Sequence, residues 1–255
     1  MNTLFIGQSI LRLESVDSTN SYALDLMRNS EISEGLVIQT YQQTAGRGQR
    51  GNHWESEPGK NLTLSVVLFP SFLSANEQFM LNKVIAIGVA EFIAFKLKQD
   101  KKDDNVKVKW PNDIYVGKKK IAGILIENSL KNNDLMSSVI GIGINVNQIE
   151  FSGDSPNPVS LQMLTKRIYE LDRTLEELCS FIEARYIQLK GLSFSAIDKS
   201  YLDMLYLYNE WTSFIVKEEP INAKIIGVLK EGKLILETDK QKTEQVGFNE
   251  IKFIL

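Results

Sequence analysis

The segment from Asn76 to Lys98 constrains the fold more than any other part of the chain. Its apolar residues recur at spacings of three and four, which predicts one long helix with a broad buried face. Segments with β character follow it at Val106–Trp110, Ile114–Val116, Ile121–Glu127 and Ser138–Val146. Because other elements must cover such a helix, the pattern predicts a folded protein that contains both helices and sheet.

Further elements flank this central region. Strands are predicted at Ile10–Glu14, Leu36–Tyr41 and Leu62–Phe69, and Leu175–Leu189 has the pattern of a second amphipathic helix. The polar run Asp17-Ser18-Thr19-Asn20 follows the first strand and precedes apolar residues at helical spacing. We therefore place this run at a helix start.

The pattern changes after Asn209. Short β segments follow, at Phe214–Lys217, Ala223–Leu229, Lys233–Thr238, Thr243–Gly247 and Ile251–Leu255. They predict a small all-β domain, which we expect to be a barrel. The expected division is a larger domain at 1–208 and a small C-terminal domain at 209–255.

Composition places the chain among ordinary folded proteins. Hydrophobic residues make up 43% and charged residues 24%, and the formal net charge is −3. The acidic balance argues against a large nucleic-acid surface, which needs a basic excess. No stretch approaches the roughly 18 apolar residues of a membrane span, and the first ten residues lack a leader pattern. We therefore expect a protein that contacts no membrane. The single cysteine, Cys179, fits a reducing compartment, so the expected location is the cytoplasm.

The loop Gln43–Asn52 combines three glycines with Arg47 and Arg50. Glycine lets backbone amides approach an anion closely, and arginine adds a permanent positive charge with several donors. The residues match neither a P-loop nor a dinucleotide fingerprint. Glycine and arginine are also common in exposed loops, so the loop alone leaves an anion site and a solvated turn as alternatives.

A second candidate region is the run Lys109-Trp110-Pro111-Asn112-Asp113 between two strands. Its aspartate has the chemistry to hold Mg²⁺ near a phosphate, and its asparagine has the chemistry to bond a ligand or its own backbone. A structural turn with a packed indole is the alternative. The lysines at 118–120 follow; Lys120 directly precedes an apolar strand, where its side chain can point into a site although its neighbours are solvated.

The third region is Gly141–Asn147 at a strand end. Its glycines permit close approach of a ligand, and Asn145 offers both a donor and an acceptor. A bulge or a bend in the sheet is the alternative for these glycines.

Taken together and in this order, the motifs resemble those of biotin protein ligases. The matching stretches are 17–20, 43–54, 109–123 and 141–147. The resemblance covers essentially the whole chain and implies an α+β fold. Its catalytic core, related to class II synthetases, is expected to be a mixed sheet with helices packed on one side, followed by a small C-terminal β-barrel domain. It implies an ATP-dependent ligase that forms biotinyl-5′-AMP from biotin and Mg·ATP, with ATP, biotin and Mg²⁺ as ligands. The biotin then passes to a lysine of a biotin carboxyl carrier protein.

The resemblance also assigns roles by position. It implies a catalytic role for Lys120, Arg47 and Arg50, and a weaker one for Asp113 at the metal. The residues expected to bind biotin are Ser18, Thr19, Asn20, Gln43, Gly46, Arg47, Gly48, Gln49, Lys120, Gly123 and Gly141. The residues expected to bind ATP are Arg47, Gln49, Arg50, Trp54, Lys109, Asn112, Asp113, Lys120 and Asn145.

The sequence departs from the family pattern in three ways. Gln49 and Asn52 stand where many members carry a basic residue, and Lys252 is only a weak counterpart of a C-terminal arginine. The Asp17 motif begins too early in the chain for the N-terminal winged-helix domain of the repressor branch. We therefore expect the short form of the family, without nucleic-acid binding, and the resemblance leaves a homodimer as an option.

Two residues and two functions have plain alternatives. His53 is the single histidine and is expected to be a loop residue; Cys179 lies in an amphipathic pattern and is expected to be buried and inert. A lipoate ligase or octanoyl transferase shares the fold, but its RRxSGGGxVxHD-like segment is absent. A catalytically silent binding protein would not need to retain Arg47, Lys120 and Asp113.

Overall fold

A computed structural model describes residues 2–102, 105–152 and 157–254, and for Arg50 the backbone only. In chain order its elements are β1 (Ile10–Val16), α1 (Thr19–Asn29), β2 (Val37–Gln43), β3 (Leu62–Leu68), α2 (Gln78–Gln99), β4 (Val106–Lys109), β5 (Asp113–Val116), β6 (Lys119–Lys131), β7 (Asp134–Ile144), α3 (Leu161–Thr165), α4 (Leu171–Lys190), α5 (Phe194–Met204), β8 (Thr212–Val216), β9 (Glu219–Val228), β10 (Leu234–Thr238), β11 (Thr243–Val246) and β12 (Ile251–Phe253).

The first seven strands form one mixed sheet. Its spatial order is β1-β2-β3-β7-β6-β5-β4, and all neighbours are antiparallel except the parallel pair β1 and β2. Residues on opposite faces alternate along each strand. On β3, Leu64 and Val66 join the main core with α2, whereas Val67 joins a smaller core with Ala23 of α1. The expected mixed sheet is confirmed.

Helices cover both faces of this sheet unequally. The helices α2, α4 and α5 contact one another and share the main core, with Ile85, Leu178 and Ile197 fully buried. These three helices match the expectation of helices packed on one side of the sheet. Helix α1 lies on the opposite face, against β2, β3 and β7. Because α1 covers only part of that face, the rest is left for a cavity.

The second sheet has five strands in the order β11-β10-β9-β8-β12, and all four pairings are antiparallel. The expectation of a barrel is wrong for the described residues, because its edge strands β11 and β12 do not pair with each other. A barrel closes only when its first and last strands are bonded. Strand β12 instead lies at the rim of the cavity, and the inner residues Phe214, Ile225 and Leu236 join the main core.

The predicted long helix corresponds to α2, and the predicted strands correspond to β1–β12 with shifted ends. Two helices were not predicted, α3 and α5. Helix α3 has only five residues and follows Gly153–Pro156, which lie outside the described residues, as does Leu255. Among the described residues, no helix has the length and apolar character needed to cross a bilayer.

Candidate functional site

A cavity of about 340 Å³ lies on the face of the central sheet that α1 covers only in part. Its walls come from the start of α1, the loop after β2, the turn between β4 and β5, and the segment around β12. The lining includes Ser18, Thr19, Asn20, Gln43, Arg47, Gly48, Gln49, Asn52, His53, Trp54, Thr63, Lys109, Trp110, Pro111, Asn112, Asp113, Lys120, Gly123, Leu125, Gly141, Gly143, Phe248, Ile251, Lys252 and Phe253.

Paired glycines form the floor of the cavity. Gly123 on β6 is directly opposite Gly143 on β7, and the indole of Trp54 lies across both. A Cβ at Gly143 would overlap the indole, and one at Gly123 would lie 3.1 Å from Trp54 Cζ3. A Cβ at Gly141 would lie 2.5 Å from Asn20 Oδ1. These strand glycines therefore make room for the side chains of Trp54 and Asn20, whereas the close approach of a ligand to them stays a prediction.

The wall at the start of α1 is polar and buried. The backbone N–H of Thr19 donates to Gln43 Oε1 over 2.9 Å, which joins the helix start to the end of β2. Ser18 precedes the helix but makes no side-chain capping bond. Ser18, Thr19 and Asn20 are all more than nine-tenths buried. This end of the cavity thus offers neutral hydrogen-bonding groups.

The glycine loop is held by its own backbone. The N–H of Trp54 donates to Gly46 O over 3.0 Å, and the N–H of Gly48 donates to Asn52 O over 2.7 Å. A Cβ at Gly46 would lie 2.5 Å from Trp54 O, so glycine is needed for this closure. The side chain of Arg47 donates to Glu127 Oε2 of β6 over 3.0 Å. The loop is therefore folded over the cavity.

Lys120 and Asp113 face each other inside the cavity. Lys120 Nζ lies 2.8 Å from Asp113 Oδ1, and both side chains are about four-fifths buried, with 19% and 21% of their surface exposed. The same ammonium lies 5.8 Å from the centroid of the Trp54 ring. Lys120 points into the cavity, as expected from its position at the start of a strand. Its neighbours Lys118 and Lys119 are exposed.

Lys109 is enclosed by aromatic rings. Its Nζ lies 5.3 Å from the Tyr115 centroid and 5.0 Å from the Phe253 centroid. Burial lowers the pKa of Lys109, Asp113 opposes this shift, and the charge of Lys120 adds to it. Burial also disfavours the charged form of Tyr115, and therefore raises the pKa of that phenol. A buried cation at this position favours the arrival of an anion.

The other residues of the 109–113 run position the turn. The indole N–H of Trp110 donates to Gly232 O over 2.9 Å, and its ring centroid lies 4.8 Å from that of Phe248. The packed-indole alternative therefore holds for Trp110, which connects the two sheets. Asn112 Nδ2 donates to Ile124 O over 2.5 Å, so its amide bonds the neighbouring strand.

The C-terminal sheet contributes a wall that sequence reasoning did not assign. Phe248, Ile251 and Phe253 line the cavity beside Lys252. Thr63 of β3 lines the floor, and Glu127 anchors Arg47. The sequence signal for Glu127 was its position on the inward-facing register of β6; no local signal marks Phe248 or Phe253, whose role depends on the packing of the second sheet.

Most residues assigned by resemblance meet in this one cavity. Gly46 and Asn145 are exceptions, because neither lines it. Asn145 is buried, and its Nδ2 donates to Val159 O over 3.1 Å. Its predicted contact with the nucleotide stays a prediction. The side chain of Arg50 lies outside what the structure describes.

Asp113 is the only carboxylate among the described residues that line the cavity, and no group of three or more His, Cys, Asp or Glu side chains that could hold a metal occurs among the described residues. Mg²⁺ is commonly bound through one or two carboxylates together with substrate phosphates and water. Asp113 therefore fits a role with a metal that arrives on a nucleotide, but does not by itself form a resident metal site.

Two further residues match their plain interpretation. Cys179 is fully buried in α4, and burial raises the pKa of its thiol to about 12, so it is inert. His53 is exposed at the rim and pairs in the backbone with Arg47.

In chemical terms, the cavity has two ends. One end carries neutral polar groups of α1 and Gln43, and the other carries Lys109, Lys120 and Lys252 with a single carboxylate. Arg47 lies beside the polar end, where it shares Glu127 Oε2 with Asn20. Such a site binds a ligand with a neutral polar head and stabilises anions brought together at its other end.

Comparisons with known proteins agree with these features. Residues 13–145 match the model of the biotin/lipoate A/B protein ligase family. The chain is 36% identical over 242 residues to the bifunctional ligase/repressor BirA of Escherichia coli K12, covering 91% of this chain and 70% of that protein. It is 29% identical over 199 residues to the biotin–[acetyl-CoA-carboxylase] ligase of Paracoccus denitrificans, covering 74% and 78%. The structure of a biotin protein ligase from Aquifex aeolicus in complex with biotin and ATP superimposes with a TM-score of 0.76 at 25% identity, covering 96% and 98%.

Proposed function

This chain belongs to the biotin/lipoate A/B protein ligase family, and we propose that it activates biotin with Mg·ATP and transfers it to a lysine of a biotin carboxyl carrier protein. In the first step a carboxylate oxygen of biotin attacks the α-phosphorus, a new P–O bond forms, and pyrophosphate leaves. In the second step the carrier amine attacks the carbonyl carbon, AMP leaves, and the amine loses a proton.

The observation that carries the proposal is the position of Lys120 at the charged end of a cavity whose other end is neutral and polar, with Arg47 in the loop above that polar end. Both steps bring anions together, so the site must supply positive charge and exclude water more than it must move a proton. Lys120 is assigned to the carboxylate and the adenylate oxygens. Arg47 and the amides of the glycine loop are assigned to the same anions.

The polar end is assigned to the bicyclic head of biotin, which carries a ureido group. Ser18, Thr19 and Gln43 provide hydroxyl and amide groups there, and the glycine floor at Gly141 leaves space beside them. Lys109, Asp113 and Lys252 are assigned to the nucleotide. Mg²⁺ on ATP neutralises phosphate charge, and Asp113 is the carboxylate assigned to meet it.

Pyrophosphate exchange into ATP tests the first step. Exchange is measured with biotin, lipoate and octanoate in parallel, because a lipoate ligase and an octanoyl transferase are the alternatives that share the fold. Exchange that depends on biotin supports the proposal. Exchange with lipoate alone would assign the chain to a lipoate ligase, and exchange with none of the three would contradict the proposed activation of biotin.

Transfer to a carrier tests the second step. Labelled biotin, ATP and a purified carrier domain are incubated with the protein, and label is followed into the carrier. A carrier variant with arginine at the acceptor lysine is the control. Label in the first carrier and not in the second supports lysine biotinylation; equal label in both would contradict it.

Three further proposals accompany this function: a cytoplasmic location, a homodimer, and a domain boundary between residues 208 and 209. The boundary is supported by the change from mixed elements to β8–β12 alone after that point. Light scattering during size-exclusion chromatography tests the homodimer.

A further inference from the structure

Ser65 on β3 is fully buried below the polar end of the cavity and does not line it. Its Oγ lies 2.8 Å from Thr19 Oγ1 and 2.7 Å from Asn20 Oδ1. Its hydroxyl therefore joins these two residues of α1 from beneath.

The orientation of the Asn20 amide is fixed on its other side. Asn20 Nδ2 lies 2.7 Å from Glu127 Oε2 and 3.2 Å from Leu125 O, and both of these oxygens are acceptors. The nitrogen must donate to them, so the oxygen Oδ1 must face Ser65. The Glu127 carboxylate thus determines which way the Asn20 amide is oriented.

The hydroxyl hydrogens then follow from counting. Asn20 Oδ1 can only accept, so Ser65 uses its single hydrogen there. The 2.8 Å contact between Ser65 and Thr19 needs a hydrogen as well, and only Thr19 can supply it. Gln43 Oε1, 3.1 Å from Thr19 Oγ1, keeps the backbone N–H of Thr19 as its donor.

We propose that Ser65 is a positioning residue that makes the Thr19 hydroxyl present an acceptor, and no hydrogen, to the ligand, and thereby selects an N–H group at this end of the cavity. The proposal rests on the proposed function, in which the ureido group of biotin supplies N–H donors. If Ser65 were absent, the Thr19 hydrogen would lose this acceptor and could turn either to Gln43 Oε1, 3.1 Å away, or toward the ligand N–H, where two donors would meet.

The variant Ser65→Ala tests this inference. We expect the KM and Kd for biotin to rise about tenfold, which corresponds to about 1.4 kcal/mol, the scale of one hydrogen bond. The KM for ATP and kcat are expected to stay within twofold. Ser65→Cys keeps more of the side-chain volume and a weak donor, so its KM for biotin should lie between those of the wild type and Ser65→Ala. It also serves as the test variant if Ser65→Ala folds poorly.

Ser138→Ala is a matched control. Ser138 on β7 is also fully buried, and it donates to Asn128 Oδ1 over 2.8 Å, but neither residue lines the cavity. If Ser65 acted only through general stability, both variants would lower the melting temperature and change biotin binding alike. We expect the biotin KM of Ser138→Ala to equal that of the wild type.

A double-mutant cycle shows whether Ser65 acts through Thr19. In the background Thr19→Val, where the hydroxyl is gone, Ser65→Ala should cause no further loss of biotin binding. Additive losses, or a Ser65→Ala protein that binds biotin as tightly as the wild type, would overturn the inference. A wild-type protein that binds no biotin would instead overturn the proposed function, so the two failures can be distinguished.

Discussion

Lys120 Nζ lies 2.8 Å from Asp113 Oδ1, so the cation assigned to the biotin carboxylate is partnered by a carboxylate of the protein. In the register of β5 and β6, Asp113 is opposite Gly123 and Tyr115 is opposite Lys120, with an irregularity between Ile114 and Tyr115. A ligand anion must therefore compete with Asp113 for Lys120. Separate substitutions of Lys120 and Asp113 can therefore distinguish the roles of the two residues.

Removal of Lys120 should mainly affect the activation step. We expect Lys120→Ala to lower the rate of biotin-dependent pyrophosphate exchange by about 10²–10³, the usual effect of losing one preorganised charge contact. Lys119→Ala, an exposed neighbour, serves as the control and should retain activity. An exchange rate for Lys120→Ala close to that of the wild type would contradict the role given to Lys120.

Asp113→Asn should separate binding from activation. The amide no longer neutralises Lys120, so biotin in the absence of ATP is expected to bind several-fold more tightly, while pyrophosphate exchange falls by at least tenfold. Isothermal titration calorimetry measures the first effect and exchange the second. Weaker biotin binding would show that Asp113 supports the biotin site instead of competing with it.

Gly143→Ala tests the floor of the cavity. The added Cβ would overlap the Trp54 indole, which must then leave its place across Gly123 and Gly143. We expect exchange activity to fall by roughly 10–10² because a displacement of about 1 Å at a site can have this cost. A shift in tryptophan fluorescence should accompany the loss.

The control for this change is Gly191→Ala at the end of α4. A Cβ there would have its nearest neighbour at 3.4 Å, and Gly191 has a φ of −76°, which alanine adopts readily. Activity and fluorescence should not change. If Gly143→Ala were as active as Gly191→Ala, the indole would not need the glycine floor.

Lys109→Met should stabilise the protein while lowering its activity. Burial depresses the pKa of Lys109 in the folded chain, so the unfolded chain binds more protons between that pKa and the ordinary lysine value of about 10.4. Wild-type stability at this group therefore rises with pH through that window, and the cost of the buried charge is fully present at lower pH.

We accordingly expect Lys109→Met to raise Tm by roughly 2–4 °C at pH 7, with the gain shrinking toward pH 10. Thermal melts at both pH values measure it. Lys118→Met, at the exposed turn between β5 and β6, is the control and should leave Tm unchanged. A lower Tm for Lys109→Met at pH 7 would show that its aromatic contacts outweigh the cost of burial.

Local patterns were sufficient for the parts of this protein that depend on near neighbours. Helix α2 was predicted because its apolar spacing is set by the helical period, and Lys120 was assigned inward because side chains alternate along a strand. The motif regions were recognised as one site because they occur together in a known order. The residue types in these motifs indicate the chemistry of the site.

Tertiary structure decided the rest. The second sheet is open, and its edge strand β12 lies at the cavity. The residues of β12 carry no sequence pattern that indicates this position. Ser65 and Glu127 act on Thr19 and Arg47 across distances of 46 and 80 residues in the chain. A strand pattern shows which face a side chain occupies, whereas its partner and the direction of its hydrogen bond depend on which strands and helices are brought together.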